Sequence, residues 1–447
     1  MKYLIVLGDG MADEAMESLG GRTPLQAASI PCMDSMAKAG CCGQLRTVPQ
    51  GFPPGSEIAN LSLLGYDVSK QFEGRGSLEA ASMGINIPEG FMAARCNLIC
   101  VQDGKIKNHS AGHISTAEAG ELIAFLNKEL GSGELVFHTG VSYRHLLLLK
   151  GGNKELNCTP PHDVPGMACS GLLPQAQNPQ AEPTALLLRQ LIERSQELLA
   201  VHPVNLARQA KGLDMANSIW PWSPGYRPAM LPLSEKYPIH SGSVISAVDL
   251  IKGIGVYAGL EPIEVPGATG LYDTNYEGKA QAAIDELKKK DFVFLHVEAS
   301  DEASHEGDVD LKIRTIEYLD QRLIRPILEE ISGWDEAVTI AVLPDHPTYC
   351  RIKTHAAEAV PFLIYRSDAG SVQAWPAKGQ EKSFGDIKSC AKSDKKAVQS
   401  PGSATVDQSD SFFVPDAVQV FDEFSVRAGY YGTLQGEEFI RAFFGLK

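Results

Sequence analysis

The chain has 447 residues, a mass of 48.2 kDa and a hydrophobic content of 44%, which suffices for a large buried core and two or three domains. Its net charge of -15 and its pI near 5.2 exclude nucleic acids and anionic membranes as expected partners, because both require a basic surface. Nine scattered cysteines without CxxC pairs are typical of reduced, buried thiols rather than of a disulfide framework or a zinc ribbon.

The first apolar run, residues 3–7, is shorter than the ~7–15 apolar residues of a signal peptide. No other run approaches the ~18 apolar residues of a membrane span, so we expect a cytoplasmic protein with no membrane partner. The run predicts a strand that ends at Gly8-Asp9-Gly10. A helix over 25–38 should follow, because Thr23-Pro24 is a suitable N-cap and first-turn pair.

A loop rich in proline and glycine, residues 48–56, leads to a predicted helix over 57–64. Ser56 therefore lies at the N-terminus of a helix. Serines in this setting usually act as N-caps, so a functional role for the hydroxyl needs support from other parts of the chain.

The middle of the chain has the pattern of a smaller inserted domain. A glycine-rich connector, residues 72–90, is followed by segments of alternating polarity that predict strands of a partly antiparallel sheet. The predicted elements are strands within 95–101 and 135–150, helices over 116–130 and 184–200, and a loop over 158–183. We therefore predict an inserted α+β domain at 73–212 and a discontinuous core at 1–72 and 213–447.

The second half returns to alternating strands and helices, which predicts an α/β core with a mostly parallel sheet flanked by helices. The predicted elements are a strand and helix within 243–256, strands at 292–297 and 338–343, and helices over 311–331 and 438–444. Residues 366–411 are rich in Ser, Lys, Gln, Asp and Gly, so we predict a mobile surface insertion there.

Three predicted strands, those over 3–7, 292–297 and 338–343, are followed by aspartate and histidine, which are common metal ligands. In an open α/β sheet the carboxyl ends of the strands line the ligand-binding crevice, so these side chains can converge. Asp301 and His305 are four residues apart and would share one face of a helix. Singly, each residue has a simpler explanation as a turn residue or a solvated side chain. The complete candidate set is Asp9, Ser56, Asp301, His305, Asp345, His346 and His355.

Mixed histidine and carboxylate ligands favour Mn²⁺ or Zn²⁺ over Mg²⁺ or Ca²⁺. Six protein ligands are too many for one catalytic ion that keeps an open position, which favours two ions. Asp345 and His346 would then bind one ion, and Asp301, His305 and His355 the other. A pair of cations would lower the pKa of a bound serine hydroxyl and make it a nucleophile without a Ser-His-Asp triad.

Several long motifs in this order resemble those of the cofactor-independent phosphoglycerate mutases of the archaeal type, within the alkaline phosphatase superfamily. The matching stretches are Leu7-Gly8-Asp9-Gly10, Gly55-Ser56-Glu57-Ile58-Ala59-Asn60, Leu64-Gly65-Tyr66-Asp67, Gly74-Arg75-Gly76-Ser77-Leu78-Glu79-Ala80, Ser110-Ala111-Gly112-His113-Ile114, Val244-Ile245-Ser246-Ala247-Val248-Asp249-Leu250 and His355-Ala356-Ala357-Glu358-Ala359-Val360-Pro361-Phe362.

The resemblance implies an alkaline phosphatase-like core and an isomerase of glycolysis that interconverts 3-phosphoglycerate and 2-phosphoglycerate. It implies a phosphoserine intermediate and two divalent ions, Mn²⁺ or Zn²⁺ with Mg²⁺ as a third option, and no 2,3-bisphosphoglycerate. By matching positions, Ser56 is the nucleophile and binds one ion with Asp9, Asp345 and His346, and the other ion is bound by Asp301, His305 and His355.

A phosphorylated substrate with a carboxylate needs cationic partners. The candidates are Arg75, Arg95, His113, Arg144 and Lys236, with Lys252 as a weaker one; each has the alternative of an ordinary ion-paired residue. His113 and Trp222-Ser223 depart from the residues we associate with the family. A homoserine kinase-like phosphotransferase or a phosphatase on the same scaffold therefore remains the alternative function, and a non-catalytic metal-binding protein is a third.

Overall fold

The computed structural model describes residues 1–368 and 414–446. Most of the polar segment predicted at 366–411 thus lies outside the described residues. The strands within the described residues are β1 Lys2–Gly8, β2 Cys41–Arg46, β3 Phe91–Gln102, β4 Lys105–Asn108, β5 Leu135–His138, β6 Arg144–Lys150, β7 Leu156–Asn157, β8 Gln175–Ala176, β9 Ser218–Gly225, β10 Gly242–Ile245, β11 Glu261–Ile263, β12 Phe292–Val297, β13 Val338–Leu343, β14 Thr348–Tyr349, β15 Thr354–His355, β16 Val360–Arg366 and β17 Thr433–Gln435.

The α-helices of the same residues are α1 Pro24–Ala27, α2 Pro31–Ala39, α3 Ser56–Leu63, α4 Val68–Gln71, α5 Arg75–Ser82, α6 Thr116–Leu130, α7 Glu182–Ala200, α8 Pro203–Ala210, α9 Leu233–Lys236, α10 Asp249–Tyr257, α11 Tyr276–Leu287, α12 Ala299–Glu306, α13 Val309–Tyr318, α14 Arg325–Ile331 and α15 Glu437–Phe443. In the part of the chain that the structure describes, we find no helix whose length and hydropathy would let it span a bilayer.

An eight-stranded sheet with the order β11-β10-β12-β1-β13-β16-β2-β17 forms the centre of the molecule. The five strands from β11 to β13 run parallel, and β16 is antiparallel to both of its neighbours. Strands β12 and β13 are buried at every residue, as their continuous apolar sequences predict for a sheet covered on both faces. This confirms the predicted α/β class with a mostly parallel sheet.

Helices cover both faces of this sheet. On one face α2, α11, α13 and α14 contribute buried residues such as Met33, Ile284 and Ile327 to a single hydrophobic cluster. On the other face α3, α10 and α15 contribute residues such as Ile254 and Phe439. The apolar strands are thus enclosed between two helical layers, and their carboxyl ends stay free to present polar side chains.

The prediction of one helix over 25–38 is wrong, because the chain forms α1 and α2 instead. Thr23 and Gln26 form a reciprocal capping box at the start of α1, as expected. Ala28 then adopts an extended conformation, and Pro31 begins the second helix. Proline lacks the N–H that would continue the first helix, and it disfavours helical geometry at the residue before it.

The helix predicted over 311–331 contains a π-helical segment, Leu319–Ile324, between α13 and α14. Asp320 in this segment is fully buried. Its carboxylate accepts the backbone N–H groups of Cys32 (3.2 Å) and Met33 (2.8 Å) at the start of α2. These N–H groups have no partner within their own helix, so Asp320 caps α2 from a distant part of the sequence.

A second sheet is antiparallel and contains β4, β3, β6 and β5, with β9 paired to the other edge of β3. The strand predicted over 135–150 is two strands, because a turn that includes Ser142 at φ 55° separates them. Strand β9 follows residue 212 in the chain and yet pairs with this sheet. The division into a core at 1–72 and 213–447 and an insertion at 73–212 remains a prediction.

Helices α5 and α10 approach each other closely at Gly253. A Cβ atom at this position would lie 2.0 Å from the backbone carbonyl oxygen of Leu78. This distance is shorter than any van der Waals contact, and a backbone atom cannot rotate away from it. Glycine at 253 is therefore required by the separation of the two helices, not by an unusual backbone conformation.

We expect Gly253→Ala to lower the free energy of unfolding by about 1–3 kcal/mol through overpacking, measured by urea denaturation. Gly120→Ala in α6 is the control, since the added Cβ would meet only the Thr139 Cγ2 atom at 3.7 Å. The control should raise stability by about 0.5–1 kcal/mol, because alanine is the better helix former. Equal effects of the two changes would contradict the close contact.

Candidate active site

The three predicted ligand-bearing strands are neighbours in the sheet, since β1 lies between β12 and β13. Asp9 follows β1, Asp301 lies in α12 just after β12, and Asp345 follows β13. Parallel strands end at the same edge, so these carboxylates meet. The expectation that Asp301 and His305 share one helical face is also confirmed, because the His305 Nε2 atom lies 3.1 Å from the Asp301 Oδ2 atom.

Ser56 lies beside this edge of the sheet. Its Oγ atom is 3.2 Å from the His346 Nε2 atom and 3.5 Å from the Asp9 Oδ2 atom. Ser56 is the first residue of α3 and not its N-cap, since Gly55 occupies that position. Its hydroxyl is thus not used to cap the helix, and it faces the carboxylates and imidazoles.

Asn60 holds the start of α3 against the end of β13. Its Nδ2 atom donates to the Ser56 carbonyl oxygen (2.8 Å) and to the Asp345 Oδ2 atom (3.0 Å). Asn60 is fully buried, so both hydrogen bonds are shielded from water. The position of Ser56 is therefore fixed relative to Asp345, although 289 residues separate them in the sequence.

The first cluster at this edge consists of Asp9, Asp345 and His346, and all three are fully buried. The His346 Nε2 atom lies 3.6 Å from the Asp9 Oδ1 atom and 3.4 Å from the Asp345 Oδ2 atom. The Asp9 Oδ1 atom has no hydrogen-bond partner among the described residues. A buried carboxylate oxygen without a partner is what a bound cation would satisfy.

The second cluster consists of Asp301, His346 and His355, with His305 next to it. The His355 Nε2 atom is 3.6 Å from the Asp301 Oδ1 atom and 3.0 Å from the His305 Nε2 atom. Thr348 donates to the Asp301 Oδ1 atom at 2.6 Å. The structure thus brings all seven predicted residues together, and His346 belongs to both clusters.

A third cluster contains two residues that sequence reasoning missed, His296 and Glu298. With Asp9 they form another group whose ligand atoms converge. The signal was present, because His296 interrupts the apolar run of β12 and Glu298 follows the strand directly. The helical pair Asp301 and His305 is the stronger signal in this stretch, because its spacing of four residues places both side chains on one helical face.

Burial and neighbouring negative charges raise the pKa of two carboxyl groups at this edge. Burial, followed by the charge of Asp345, raises the pKa of Asp9 well above its usual value. Burial also raises the pKa of Glu298 to about 8. Burial alone would raise the pKa of Asp301 as well, but hydrogen bonds from His305 and His355 hold it below the usual value.

This donor set fits divalent cations. Carboxylates and imidazoles at hydrogen-bond distance are the ligands of Mn²⁺ and Zn²⁺ sites. A cation would offset the burial and the neighbouring negative charge that raise the pKa of Asp9, and it would satisfy the unpartnered Asp9 Oδ1 atom. Asp301 raises the pKa of His305 to about 9 by accepting its hydrogen bond.

Three of the predicted cationic residues surround Glu79. Burial raises the pKa of Glu79, and the charges of Arg95, Arg144 and Arg75 oppose that increase. Arg95 lies 2.5 Å from Glu79 and its guanidinium is 4.4 Å from the centre of the Trp222 ring. The charge of Asp249 also acts on Glu79, and Glu57 pairs with Arg75, so acidic residues oppose the positive charge of these arginines.

Arg75 also links this region to Ser56. Its guanidinium donates twice to Glu57, the residue after Ser56, at 3.2 and 2.9 Å. Such a two-point contact fixes the orientation as well as the distance of the two groups. The arginines near Glu79 are thus connected to the nucleophile candidate through one ion pair.

The other predicted cations make contacts elsewhere. Lys236 donates to the Gly65 carbonyl oxygen at 2.6 Å and lies 4.7 Å from the centre of the Tyr66 ring. His113 is exposed, and its ring centre lies 6.4 Å from that of Tyr143. Lys252 pairs with Glu264 at 2.5 Å. A role for these three residues remains a prediction.

The sequence is similar to a named protein family over most of its length. Residues 37–205 match the sequence model of the family described as 2,3-bisphosphoglycerate-independent phosphoglycerate mutase. A protein of that name from Methanosarcina acetivorans is 46% identical over 443 residues and covers 98% of each chain. A second, from Methanothrix thermoacetophila, is 43% identical and covers 99% of each chain.

Two solved structures share the fold. A protein from Pyrococcus horikoshii is 26% identical with a TM-score of 0.74, and the match covers 99% of this chain and 97% of the other. A cofactor-independent phosphoglycerate mutase from Thermoplasma acidophilum is 24% identical with a TM-score of 0.62, covering 100% and 99%. The latter likeness shows the fold alone.

Beneath the site, a buried ion pair joins the loops after β1 and β13. The fully buried Lys312 ammonium lies 2.9 Å from the Asp13 Oδ2 atom and donates to the carbonyl oxygens of Ala12 and Thr348. A second pair, Arg351 with Glu14, joins the same loops at the surface. The two pairs differ chiefly in burial.

We expect Lys312→Met to lower the free energy of unfolding by about 3–5 kcal/mol, because it leaves the Asp13 carboxylate buried without its partner. Arg351→Met, which removes the exposed pair, should leave stability nearly unchanged since water screens that contact. Thermal and urea denaturation of both variants measures the difference. Similar stability of the two variants would contradict a structural role for the buried pair.

Proposed function

Because this chain belongs to the family of 2,3-bisphosphoglycerate-independent phosphoglycerate mutases, which are isomerases, we propose that it interconverts 3-phosphoglycerate and 2-phosphoglycerate through a phosphoserine at Ser56. The observation that carries the proposal is the position of the Ser56 hydroxyl, 3.2 Å from His346 and 3.5 Å from Asp9. Nucleophilic catalysis by serine needs a hydroxyl that is free of helix capping and that faces the groups which activate it, and Ser56 meets both conditions.

Two divalent cations, Mn²⁺ or Zn²⁺, would be held here. Asp9, Ser56, Asp345 and His346 are the proposed ligands of one, and Asp301, His305 and His355 those of the other. When bound, such a pair lowers the pKa of a hydroxyl ligand and neutralises the phosphoryl oxygens as charge moves. The mixed set of nitrogen and oxygen donors supports this assignment over a site for Ca²⁺.

The chain itself orients the nucleophile. Asn60 anchors the Ser56 backbone through its carbonyl oxygen, and the hydroxyl donates toward the Asp9 carboxylate. Ser56 also begins α3, whose first N–H groups point out of the helix and favour an anion such as a phosphate. The N-terminus of α3 thus contributes both the nucleophile and the N–H groups that attract the transferred phosphate.

The reaction then balances without an outside phosphoryl donor. The Ser56 Oγ atom forms a bond to phosphorus, the bond from phosphorus to the C3 oxygen of the substrate breaks, and the hydroxyl proton passes to that oxygen to give glycerate. The C2 hydroxyl of glycerate next attacks the phosphoserine and returns its own proton to Ser56. No bisphosphorylated cofactor is consumed, provided that water does not reach the phosphoserine first.

Arg75, Arg95 and Arg144 are the proposed partners of the substrate phosphate and carboxylate. Arginine suits both groups because its planar donors can bond two oxygens at once. The grouping of the three arginines near Glu79 supports this role, and the contact of Arg75 with Glu57 brings the region next to Ser56. A phosphorylated three-carbon acid is small enough to use both the arginines and the nucleophile.

We expect the purified chain with Mn²⁺ to convert 3-phosphoglycerate to 2-phosphoglycerate without 2,3-bisphosphoglycerate, and a chelator to abolish the reaction. Ser56→Ala should lower kcat at least about a thousandfold, because the covalent step is lost. A coupled enolase assay measures the rate.

Ser69→Ala, which removes an exposed hydroxyl from α4, is the control and should keep wild-type turnover. A fully active Ser56→Ala variant would refute the nucleophile. Release of inorganic phosphate or phosphorylation of homoserine at a higher rate than mutase turnover would instead support the phosphatase or kinase alternative.

We expect Arg95→Lys to raise KM about tenfold with a smaller change in kcat, since the variant keeps the charge and loses the planar pair of donors. Arg189→Lys is the control, because Arg189 pairs with Glu182 at the surface of α7 and should leave both constants unchanged. An unchanged KM for Arg95→Lys would remove Arg95 from the substrate contacts.

A further inference from the structure

A buried threonine contacts one proposed ligand of each cation. Thr348 is fully buried and follows His346 by two residues. Its Oγ1 atom donates to the Asp301 Oδ1 atom at 2.6 Å and lies 3.2 Å from the His346 Nδ1 atom. Asp301 and His346 follow different strands of the main sheet, so this single hydroxyl connects the two halves of the site.

The backbone of Thr348 is fixed on both sides. Its N–H donates to the Ala12 carbonyl oxygen at 3.2 Å, and its own carbonyl oxygen accepts the Lys312 ammonium at 2.7 Å. In the two-stranded sheet of β14 and β15 it pairs with His355. These contacts use the backbone alone, so the hydroxyl is available to Asp301 and His346.

Gly10 leaves room for this hydroxyl. A Cβ atom at residue 10 would lie 2.7 Å from the Thr348 Oγ1 atom and 2.6 Å from the Asp301 Oδ1 atom. The φ angle of Gly10 is 60°, which residues with a side chain rarely adopt. The loop after β1 is thus shaped so that the Thr348 hydroxyl and the Asp301 carboxylate can meet.

The distances decide which group donates in each hydrogen bond. A hydroxyl has one proton to donate. A separation of 2.6 Å from Asp301 lies in the range of about 2.5–2.7 Å that is typical of a hydroxyl donating to a carboxylate. The Thr348 oxygen can therefore only accept from His346, so the His346 Nδ1 atom carries a proton. A neutral imidazole has one N–H group, which leaves a lone pair on Nε2.

The Nε2 atom of His346 is the one that faces the candidate active site. It lies 3.2 Å from the Ser56 Oγ atom, 3.4 Å from the Asp345 Oδ2 atom and 3.6 Å from the Asp9 Oδ1 atom. A lone pair beside two carboxylates is unfavourable by itself and favourable around a cation. A neutral ring whose second nitrogen is held by a hydrogen bond is also the form in which histidine binds metals.

We propose that Thr348 is a positioning residue that fixes the tautomer of His346, with the proton on Nδ1 and with Nε2 free to bind a divalent cation. The opposite tautomer would require the hydroxyl to donate to Nδ1. Two oxygen atoms would then face each other 2.6 Å apart at Asp301 with no proton between them. The role of His346 as a ligand rests on the proposed function, and the tautomer itself is measured without turnover.

The tautomer can be read directly in the metal-free wild-type chain. The full chain is labelled with nitrogen-15 in its 11 histidines, treated with a chelator and studied by long-range proton–nitrogen correlation spectroscopy. The His346 signals are those that disappear in His346→Asn. We expect a protonated Nδ1 atom and an unprotonated Nε2 atom. A proton on Nε2, alone or on both nitrogens, would overturn the proposal.

Thr348→Val keeps the shape of the side chain and removes the hydroxyl. We expect the proton of His346 to move to Nε2, where it can donate to Asp345, and the affinity for Mn²⁺ to fall about 10–100-fold. Thr348→Ser keeps the hydroxyl and should restore the wild-type tautomer and most of the affinity. Isothermal titration calorimetry measures the affinity, and circular dichroism checks the fold. Thr348→Ala replaces the valine variant if the latter does not fold.

Thr315→Val is the matched control, because the buried Thr315 hydroxyl donates to the Lys312 carbonyl oxygen within α13 and not to a proposed ligand. It should change neither the His346 tautomer nor the Mn²⁺ affinity. A folded Thr348→Val chain with the wild-type tautomer and affinity would overturn the role of Thr348. A chain with the expected tautomer and no mutase turnover would overturn the proposed function alone.

Discussion

The mutual repulsion of buried carboxylates is the constraint on which this structure depends. Asp9, Asp301 and Asp345 are almost completely buried at one edge of the main sheet, and Glu298 lies beside them. Isolated ionised carboxylates in such a position are very unfavourable. Imidazoles, backbone and side-chain donors and, in our proposal, cations stabilise these buried carboxylates. The negative charge that makes their burial unfavourable is also what attracts cations to this edge.

The main sheet makes this concentration of charge feasible. Strands β12, β1 and β13 are adjacent and parallel, so one fold-level feature brings together residues that are far apart in sequence. The two hydrophobic clusters on the faces of the sheet contribute the stability that the polar edge lacks. Asn60 contacts Asp345 in the loop after β13, and Lys312 contacts Asp13 in the loop after β1, so these two side chains fix the loops that carry the site.

Much of this arrangement could be predicted from the sequence. The apolar strands at 292–297 and 338–343 have the bounds observed, because a strand buried on both faces is a continuous apolar run that ends where the core ends. The site could be predicted because Asp and His side chains follow three buried strands, and the carboxyl ends of such strands line the ligand-binding crevice of an α/β sheet. The helix break at Pro31 is also predictable, because proline disfavours helical geometry at the residue before it.

Other features depend on contacts that one sequence does not reveal. The π-helical turn carries Asp320, which accepts two N–H groups nearly three hundred residues away, and a contact at that distance leaves no local pattern in the sequence. Strand β9 pairs with β3 across a long intervening segment, so no local pattern indicates its sheet. His296 resembles an ordinary core histidine in the sequence, and only the structure shows Asp9 and Ser246 at its two ring nitrogens.

The antiparallel direction of β16 decides where the chain enters and leaves the segment between residues 368 and 414. Arg366 pairs with Thr339 near the start of β13, so the chain leaves the described residues at the rim opposite the chemistry, and it returns there at Val414 beside Cys41. Both points at which the intervening stretch joins the described chain therefore lie at the rim of the sheet remote from Asp9, Asp301 and Asp345.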